Sequence, residues 1–359
     1  MKKTEKNNGR CLFNRRGLTL MKAFMALLIL TALPSCSNAI FEDLEPCEET
    51  HYYVKYIFDM NMSYADAFAS KVNSVSLYVF DAENGDIVDV YTESGDALKV
   101  PGYRMEVDLE PGVYDLIAWC GLENNDDLFT LPETISHRDH AHCRMAREYN
   151  EFGRAVQNNF LHSLFHGRIT ADFPDATGDY EVTVPLIKDT NNINISMQHI
   201  SGEPLTKDMF TVIMTEGNGH MAHDNKLLED EDVDFYPWHL ADGNVDITGG
   251  TRAGDDDSAT LNYFKAEIST PRLMADRSPR INIIENATGN VVYSIPIVEW
   301  ALEFRSEQHS EMGKQEYLDR EDEFNVMLYL DNGEKGWVAA SIFINGWRLV
   351  RHDNSEMGH

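Results

Sequence analysis

A two-residue hydrophobic period, interrupted by turn residues every few positions, constrains this chain more than any other feature. Val75, Leu77 and Val79 alternate with Ser74, Ser76 and Tyr78, and Met105, Val107 and Leu109 alternate with Glu106, Asp108 and Glu110. Alternation of this kind dries one face of a strand and leaves the other wet. Asn84-Gly85 predicts a type I′ hairpin turn, because both central residues of such a turn need positive φ. Glu110-Pro111-Gly112-Val113 predicts a type II turn, and Tyr114–Cys120 is apolar enough for a strand buried on both faces. The period returns in Ile193/Ile195/Met197, Phe210/Val212/Met214, Ile281/Ile283 and Val326/Leu328/Leu330. Asp331-Asn332-Gly333 predicts the turn into Trp337–Ile344. The one long helical candidate, Val298–Ser306, is too short to organise a domain. Glu123–Asn159 reads as polar and irregular, with a short helix at Arg144–Tyr149. Many short strands and few helices predict an all-β chain of β-sandwiches, with no parallel α/β sheet.

The N-terminus carries a different signal. Residues 1–22 hold seven Lys or Arg and one acid, Glu5, before the apolar run Met25–Leu33 and then Leu33-Pro34-Ser35-Cys36. A basic segment, a short apolar segment and a small residue before the cut describe a secretory signal. The apolar run is about half of the ~20 residues that a spanning helix needs. Leu33, Ser35 and Cys36 resemble a bacterial lipobox, which implies diacylglycerol on the Cys36 thiol and a signal peptidase II cut between Ser35 and Cys36. Met21 serves as well as Met1 for a start, and export does not depend on the choice. Several acyl chains hold a protein to a bilayer stably where one does not.

Removing residues 1–35 takes Lys plus Arg from 30 to 23 and Asp plus Glu from 60 to 59, so the formal charge moves from −30 to −36. That charge repels nucleic acid and anionic lipid heads. The apolar fraction of 43% suits a folded chain with ample core. Cys11 leaves with the signal and Cys36 takes lipid, leaving Cys47, Cys120 and Cys143. Outside the inner membrane disulfides are permitted. Three single pairings are open, and Cys120–Cys143 is favoured because both follow well-patterned segments while Cys47 lies in the acidic leader Ser37–Thr50.

Few residues carry chemistry. His137, His140, His142 and Cys143 are zinc-ligand types, but no Cys-x-x-Cys supports them, and a solvent loop with a structural Cys is the better reading. His162 and His166 stand four apart, yet Leu164–Gly167 looks like a strand entry. Glu229–Asp234 and Asp255–Asp257 lack the glycine and glutamate of a calcium loop and read as solvated insertions. Asp81–Gly85 reads as a hairpin turn rather than a calcium site. No nucleophile elbow, His-Glu-x-x-His helix or Walker loop occurs. The expectation is a protein that is not an enzyme and needs no cofactor or metal. Trp119, Trp337 and Trp347 belong to strand patterns and a core; Trp238, in Tyr236-Pro237-Trp238-His239, is the better candidate for an exposed aromatic.

Seven segments, Tyr56–Phe68, Val72–Asp81, Tyr91–Gly95, Leu109–Leu122, Leu164–Gly167, Tyr317–Phe324 and Ile342–Trp347, together resemble the FimB-type fimbrial subunits of Bacteroidales, lipoprotein anchor and assembly components of type V pili. The resemblance implies two tandem transthyretin-like β-sandwich domains and no catalytic residues. The expected organisation is a signal peptide over 1–35, an acidic lipidated tether over 36–50, and sandwiches over 51–165 and 166–359. The expected function is a surface lipoprotein of the outer membrane that anchors a fimbrium and takes part in its assembly by strand-mediated contact with pilin subunits. A tip adhesin or carbohydrate-binding lipoprotein is the alternative. In fibre-forming relatives, the resemblance implies, a protease cutting after Arg or Lys removes the lipidated leader with the first strand. Here no Arg or Lys lies between Cys36 and Lys55, and Lys55 sits inside the expected strand Tyr52–Phe58.

Overall fold

The computed structural model describes residues 49–124, 128–248, 258–305, 309–333 and 336–348. The chain enters at β1 (Thr50–Ile57), passes the single-turn helix α1 (Phe68–Lys71), and runs through β2 (Ser74–Asp81), β3 (Ile87–Ser94), β4 (Met105–Val107) and β5 (Gly112–Cys120). Four short strands follow: β6 (Phe129–Thr130), β7 (His142–Met145), β8 (Glu148–Tyr149) and β9 (Ala155–Gln157). Next come β10 (Phe165–Phe173), β11 (Gly178–Lys188), β12 (Thr190–His199), β13 (Phe210–Glu216), β14 (His220–Ala222) and β15 (Val233–Phe235). The remainder comprises β16 (His239–Thr248), β17 (Ser258–Pro271), β18 (Arg280–Glu285), β19 (Val291–Pro296), α2 (Ile297–Glu303), α3 (Lys314–Arg320), β20 (Glu323–Gly333), β21 (Gly336–Ile344) and β22 (Trp347–Arg348). The fold is all-β, of sandwich type.

The first sheet has the order β3-β2-β5-β10-β11-β1-β4. β10 and β11 pair only from Phe165↔Lys188 to Gly167↔Leu186 and then part, while β10 stays paired with β5 to its end. The sheet therefore folds over into two leaves. Aromatic contacts close it, with Tyr52 against Phe173 at 4.7 Å and Phe58 against Phe165 at 4.8 Å. Gly167 stands where the leaves part, and a Cβ there would lie 2.6 Å from the Pro185 carbonyl oxygen.

The second half stacks β16-β17-β12-β20-β21-β22 on β19-β18-β13-β15-β9-β8. Ile193, Ile195, Phe264 and Val326 from one sheet share a core with Phe210, Val212, Ile281 and Ile283 from the other. Period-two patterning located β12, β13, β18 and β20, because each has one dry face, but not β17.

β5 lies between the two cores. Leu116, Ala118 and Cys120 face the first, while Ile117 and Trp119 belong to the second. This is the strand expected to be buried on both faces. The Cys120–Cys143 bridge expected from sequence is not formed in this structure. Cys143 lies in the core with Ile117 and Trp119, so strand alternation puts it on the opposite side of the sheet from Cys120. Both are separate buried thiols, and burial pushes each pKa up.

Other expectations change. The boundary at 165/166 cuts into a sheet, since β10 and β11 complete the first one and sheet membership changes between Lys188 and Thr190. The irregular stretch instead supplies β6–β9, and Phe129, Met145, Ala155 and Leu161 join the second core. The helix expected at Arg144–Tyr149 is replaced by β7 and β8, because Cys143 and Met145 point inward while Arg144 is exposed, and β14 pairs alongside. At Asp81–Asp86 only Gly85 takes a positive φ, +80°. The Asp81 carboxylate accepts from the Glu83 and Asn84 N–H groups, so a longer Asx-type turn replaces the type I′ turn. Gly112 does not take a positive φ and opens β5, so the type II turn is not formed. Asp331–Gly333 continue β20, with Gly333 paired to Gly336. The helix expected at Val298–Ser306 is α2, displaced by one residue at its start; α3 had no counterpart in the sequence reading.

Candidate functional site: the tethered first strand

β1 is the first described element after the expected tether. Its alternation buries Tyr52, Val54 and Tyr56, with Phe58 just beyond. At ~1.5–3 kcal/mol for each large apolar side chain taken from water, this face contributes on the order of 6–12 kcal/mol as an upper bound. The Tyr52 hydroxyl donates to the Pro174 carbonyl at 2.7 Å, and the Tyr56 ring stacks on Phe68 with centroids 5.6 Å apart. Burial raises the pKa of the Tyr56 phenol well above its usual value.

Both edges of β1 are occupied. It pairs in parallel with β11 from Thr50↔Gly178 to Ile57↔Pro185, and antiparallel with β4 at Tyr52↔Val107, Tyr53↔Glu106 and Val54↔Met105. Lys55 is half-buried opposite Thr183. On the wetter face the Arg104 guanidinium lies 3.6 Å from the Tyr53 ring centroid, and His51 Nδ1 lies 2.8 Å from Glu106. That hydrogen bond is the main cause of the raised His51 pKa.

The far end of β1 is pinned to the second half of the chain. Arg320 on α3 donates to the carbonyls of Asp59 and Asn61 at 2.9 and 3.2 Å, and its guanidinium lies 4.2 Å from the Tyr64 ring centroid. The Asp66 carboxylate accepts from the Phe58 and Phe68 N–H groups, both at 3.0 Å, closing the loop after the strand. Nothing in the periodicity of α3 announced Arg320 as a clamp, since its partners are carbonyls far away in sequence.

The remaining candidates separate. Ser35, Cys36 and Cys47 lie outside the described residues, as do Asp255–Asp257. His137 accepts from the Asp139 N–H through Nδ1 and contacts the Asn84 carbonyl through Nε2, which makes it part of the β2–β3 turn. His142 Nδ1 instead meets His220 Nε2 at 3.0 Å. His162 packs on Phe160, whereas His166 is buried against Trp119 and contacts the His223 carbonyl. Burial lowers its pKa to about 4. Among the described residues no three His, Cys, Asp or Glu side chains converge as a metal site, and no helix is long and apolar enough to cross a membrane.

The acidic run Glu229–Asp234 is only partly solvated: Glu229, Glu231 and Asp232 are exposed, while Asp230 and Asp234 are held by arginines. Arg147 donates to Asp230 at 2.7 Å and Arg144 does so at 3.2 Å, while Asp234 pairs with Arg154 and accepts from Thr215 at 2.6 Å. The run is an ionic seam against the arginines that follow β6. Trp119 is buried, Trp337 packs at the core edge and donates to Glu285 at 2.9 Å, and Trp238 is 38% exposed.

Similarity agrees with this architecture. A Bacteroides thetaiotaomicron structure described as a candidate adhesin is 33% identical, with TM-score 0.72 over 86% of this chain and 99% of that one. A second from the same organism, described as a candidate polysaccharide-binding protein, is 29% identical, with TM-score 0.70 over 85% of this chain and 100% of that one. The fimbrial anchor protein Mfa2 from Porphyromonas gingivalis shares the fold at 15% identity, with TM-score 0.61 over 83% of this chain and 98% of that one. No curated protein matches the sequence. The family model for fimbrillin-A associated anchor proteins Mfa1 and Mfa2 matches residues 44–353, and the chain belongs to that family.

Proposed function

We propose that this protein is a lipid-anchored outer-membrane subunit that holds a fimbrium at its base, keeps its first strand, and contacts pilin subunits through strand edges. The observation that carries the reading is β1. The tether leading to it offers no Arg or Lys after Cys36. The first basic residue, Lys55, lies in the ladder with β11, opposite Thr183 and directly after the three residues that also pair with β4. Proteases favour exposed loop tips over paired strands, so the strand stays joined to the lipid. β3 and β16 are the longest open sheet edges, and another subunit's strand can pair there through main-chain hydrogen bonds.

The test is mass spectrometry of the N-terminal peptide of this protein from purified fimbriae. An acylated Cys36 supports the anchor. A mature N-terminus beyond Lys55 makes it a polymerising or tip subunit instead. The match to a candidate adhesin favours a second reading, a tip position, which labelling of sheared fimbriae separates by the end that carries the protein.

A further inference from the structure

The corner between β15 and β16 carries a group of side chains that anchoring does not use. Phe160 and Trp238 are 37% and 38% exposed, yet their rings pack together with centroids 4.9 Å apart at 63°. His162 extends the row from Phe160 at 5.0 Å, and His239 extends it from Trp238 at 5.5 Å. One exposed aromatic is ordinary on a protein surface. Two adjoining ones, in a chain that buries Trp119, Phe210, Phe235 and Phe264 almost completely, form a platform.

The platform is held in place. The Tyr236 N–H donates to the Gln157 carbonyl at 2.8 Å, and the Trp238 N–H donates to the Glu267 carbonyl at 2.9 Å. Pro237 between them fixes φ and restricts Tyr236. Pre-ordering of this kind reduces what a ligand loses on binding.

A cavity of about 380 Å³ is lined by Tyr236, Pro237 and Leu240 of this corner together with Lys207, Asp208 and Phe210; Trp238 adjoins it in sequence through Pro237 and is not part of its wall. The volume falls in the small-ligand range of roughly 300–1,000 Å³. Lys207 and Asp208 are exposed, and among the described residues their charged groups and the half-buried Tyr236 hydroxyl have no protein hydrogen-bond partner, which leaves them open to a ligand. Asn286, by contrast, is occupied by Thr211 and the Asp208 carbonyl. Aromatic faces beside unused donors and acceptors match a pyranose ring, which presents C–H groups on its faces and hydroxyls around its rim. A purely apolar partner would leave Lys207 and Asp208 desolvated and unpaired.

We propose that this corner binds a neutral oligosaccharide, with Trp238 and Phe160 as the stacking platform and Lys207, Asp208 and Tyr236 as hydrogen-bonding groups. Neutrality follows from the formal charge of −30, which repels uronates and sialic acids. The site stands whether the protein sits at the base or the tip of a fimbrium.

The test uses the full lipoprotein in a zwitterionic, sugar-free detergent. Linear hexasaccharides of glucose, mannose and galactose are screened beside sialylated and uronate-containing glycans, and the best neutral hexasaccharide is titrated calorimetrically. Binding of a neutral hexasaccharide, weakened about tenfold or more by Trp238→Ala and several-fold by Asp208→Asn, is the expected result. Trp238→Phe keeps a ring and should retain most of the affinity, which separates a lost platform from a misfolded variant. Failure of every neutral hexasaccharide to bind overturns the proposal. So does preference for the anionic glycans, or unchanged binding in Trp238→Ala. A concentration-dependent dimer abolished by Trp238→Ala would assign the corner to a second copy of the chain and overturn it as well.

Discussion

Tyr52 offers a graded test of whether β1 is held tightly enough to shield Lys55 from cleavage. Its side chain is 4% exposed, its ring lies 4.7 Å from Phe173, and its hydroxyl donates to the Pro174 carbonyl. Tyr52→Phe removes only that hydrogen bond, worth about 1 kcal/mol. Tyr52→Ala removes the ring and opens a cavity between the leaves, at ~3–5 kcal/mol. With about 1.4 kcal/mol for each factor of ten, the population in which β1 is released should rise ~5-fold for Phe and roughly 10²- to 4 × 10³-fold for Ala. When opening is fast relative to cleavage, proteolysis follows that population. The assay is limited trypsin digestion under native conditions, following the product cut after Lys55 by mass spectrometry. Tyr52 lies three residues from the bond, so the rate reports opening more than recognition. Tyr53→Ala is the matched control on the other face, losing the Arg104 contact at about 0.5–1 kcal/mol. Should Tyr52→Ala accelerate the cut less than about tenfold, or no more than Tyr53→Ala does, the buried face of β1 is not what protects Lys55.

Cys36→Ala should leave unprocessed precursor or protein that no longer partitions into detergent, read by phase separation and immunoblotting. Arg320→Gln should lower the melting temperature by several degrees, for a loss of about 1–3 kcal/mol as the Asp59 and Asn61 carbonyls lose a charged donor. Cys120 and Cys143 should ignore a thiol reagent in the native protein and react once it is unfolded, and non-reducing peptide mapping should find no bridge between them. Asp189 is fully buried beside Arg272 and Asp319, with one oxygen bonded to Asn225, and burial pushes its pKa up to about 7. The native state thus holds that proton more tightly than the unfolded chain, so the contribution is full below pH ~4 and is lost as pH rises towards 7. Glu321, also raised to about 7, adds to the same slope, while buried His166, lowered to about 4, opposes it below pH ~6.5. Asp189→Asn should raise the melting temperature at pH 8 and flatten its dependence between pH 4 and 7.

Strand positions were legible wherever one face is wet and the other dry. Tyr52, Val54 and Tyr56 alternate with His51, Tyr53 and Lys55, and that period survives into the structure unchanged. β7–β9 were not legible for the opposite reason. Two to four residues are too few to show a period, and Cys143 with Met145, or Ala155 with Gln157, acquire meaning only when β14 and β15 pair beside them. The ionic seam was hidden in the same way. Asp230 and Arg147 are far apart in sequence, and composition alone makes an acidic run look solvated. The expected Cys pairing took no account of strand alternation, and the side on which Cys143 packs is visible only in the fold. β5 is dry on both faces, so Cys120 and Trp119 must face different cores, and a cysteine packed on the Trp119 side cannot reach Cys120.

The geometry of β1 gives the anchor reading a physical basis that the lipobox alone does not supply. A lipid tether is only as strong as the join between tether and fold. Here the tether would lead into the N-terminal end of a strand paired on both edges and parallel to β11 over its full length. A pull applied along the strand axis would load the ladder bonds together in shear instead of opening them one at a time. The far end is held separately, by Asp66 on the strand's own loop and by Arg320 from α3 in the other half of the chain. Releasing β1 therefore requires breaking its ladders and its place in the first core, and freeing the loop after it from Arg320. A subunit meant to shed its first strand gains from a loosely held, cleavable β1. Lys55, the first basic residue after Cys36, lies instead inside the ladder with β11, one residue past the doubly paired stretch Tyr52–Val54, and that placement suits a subunit that keeps its first strand.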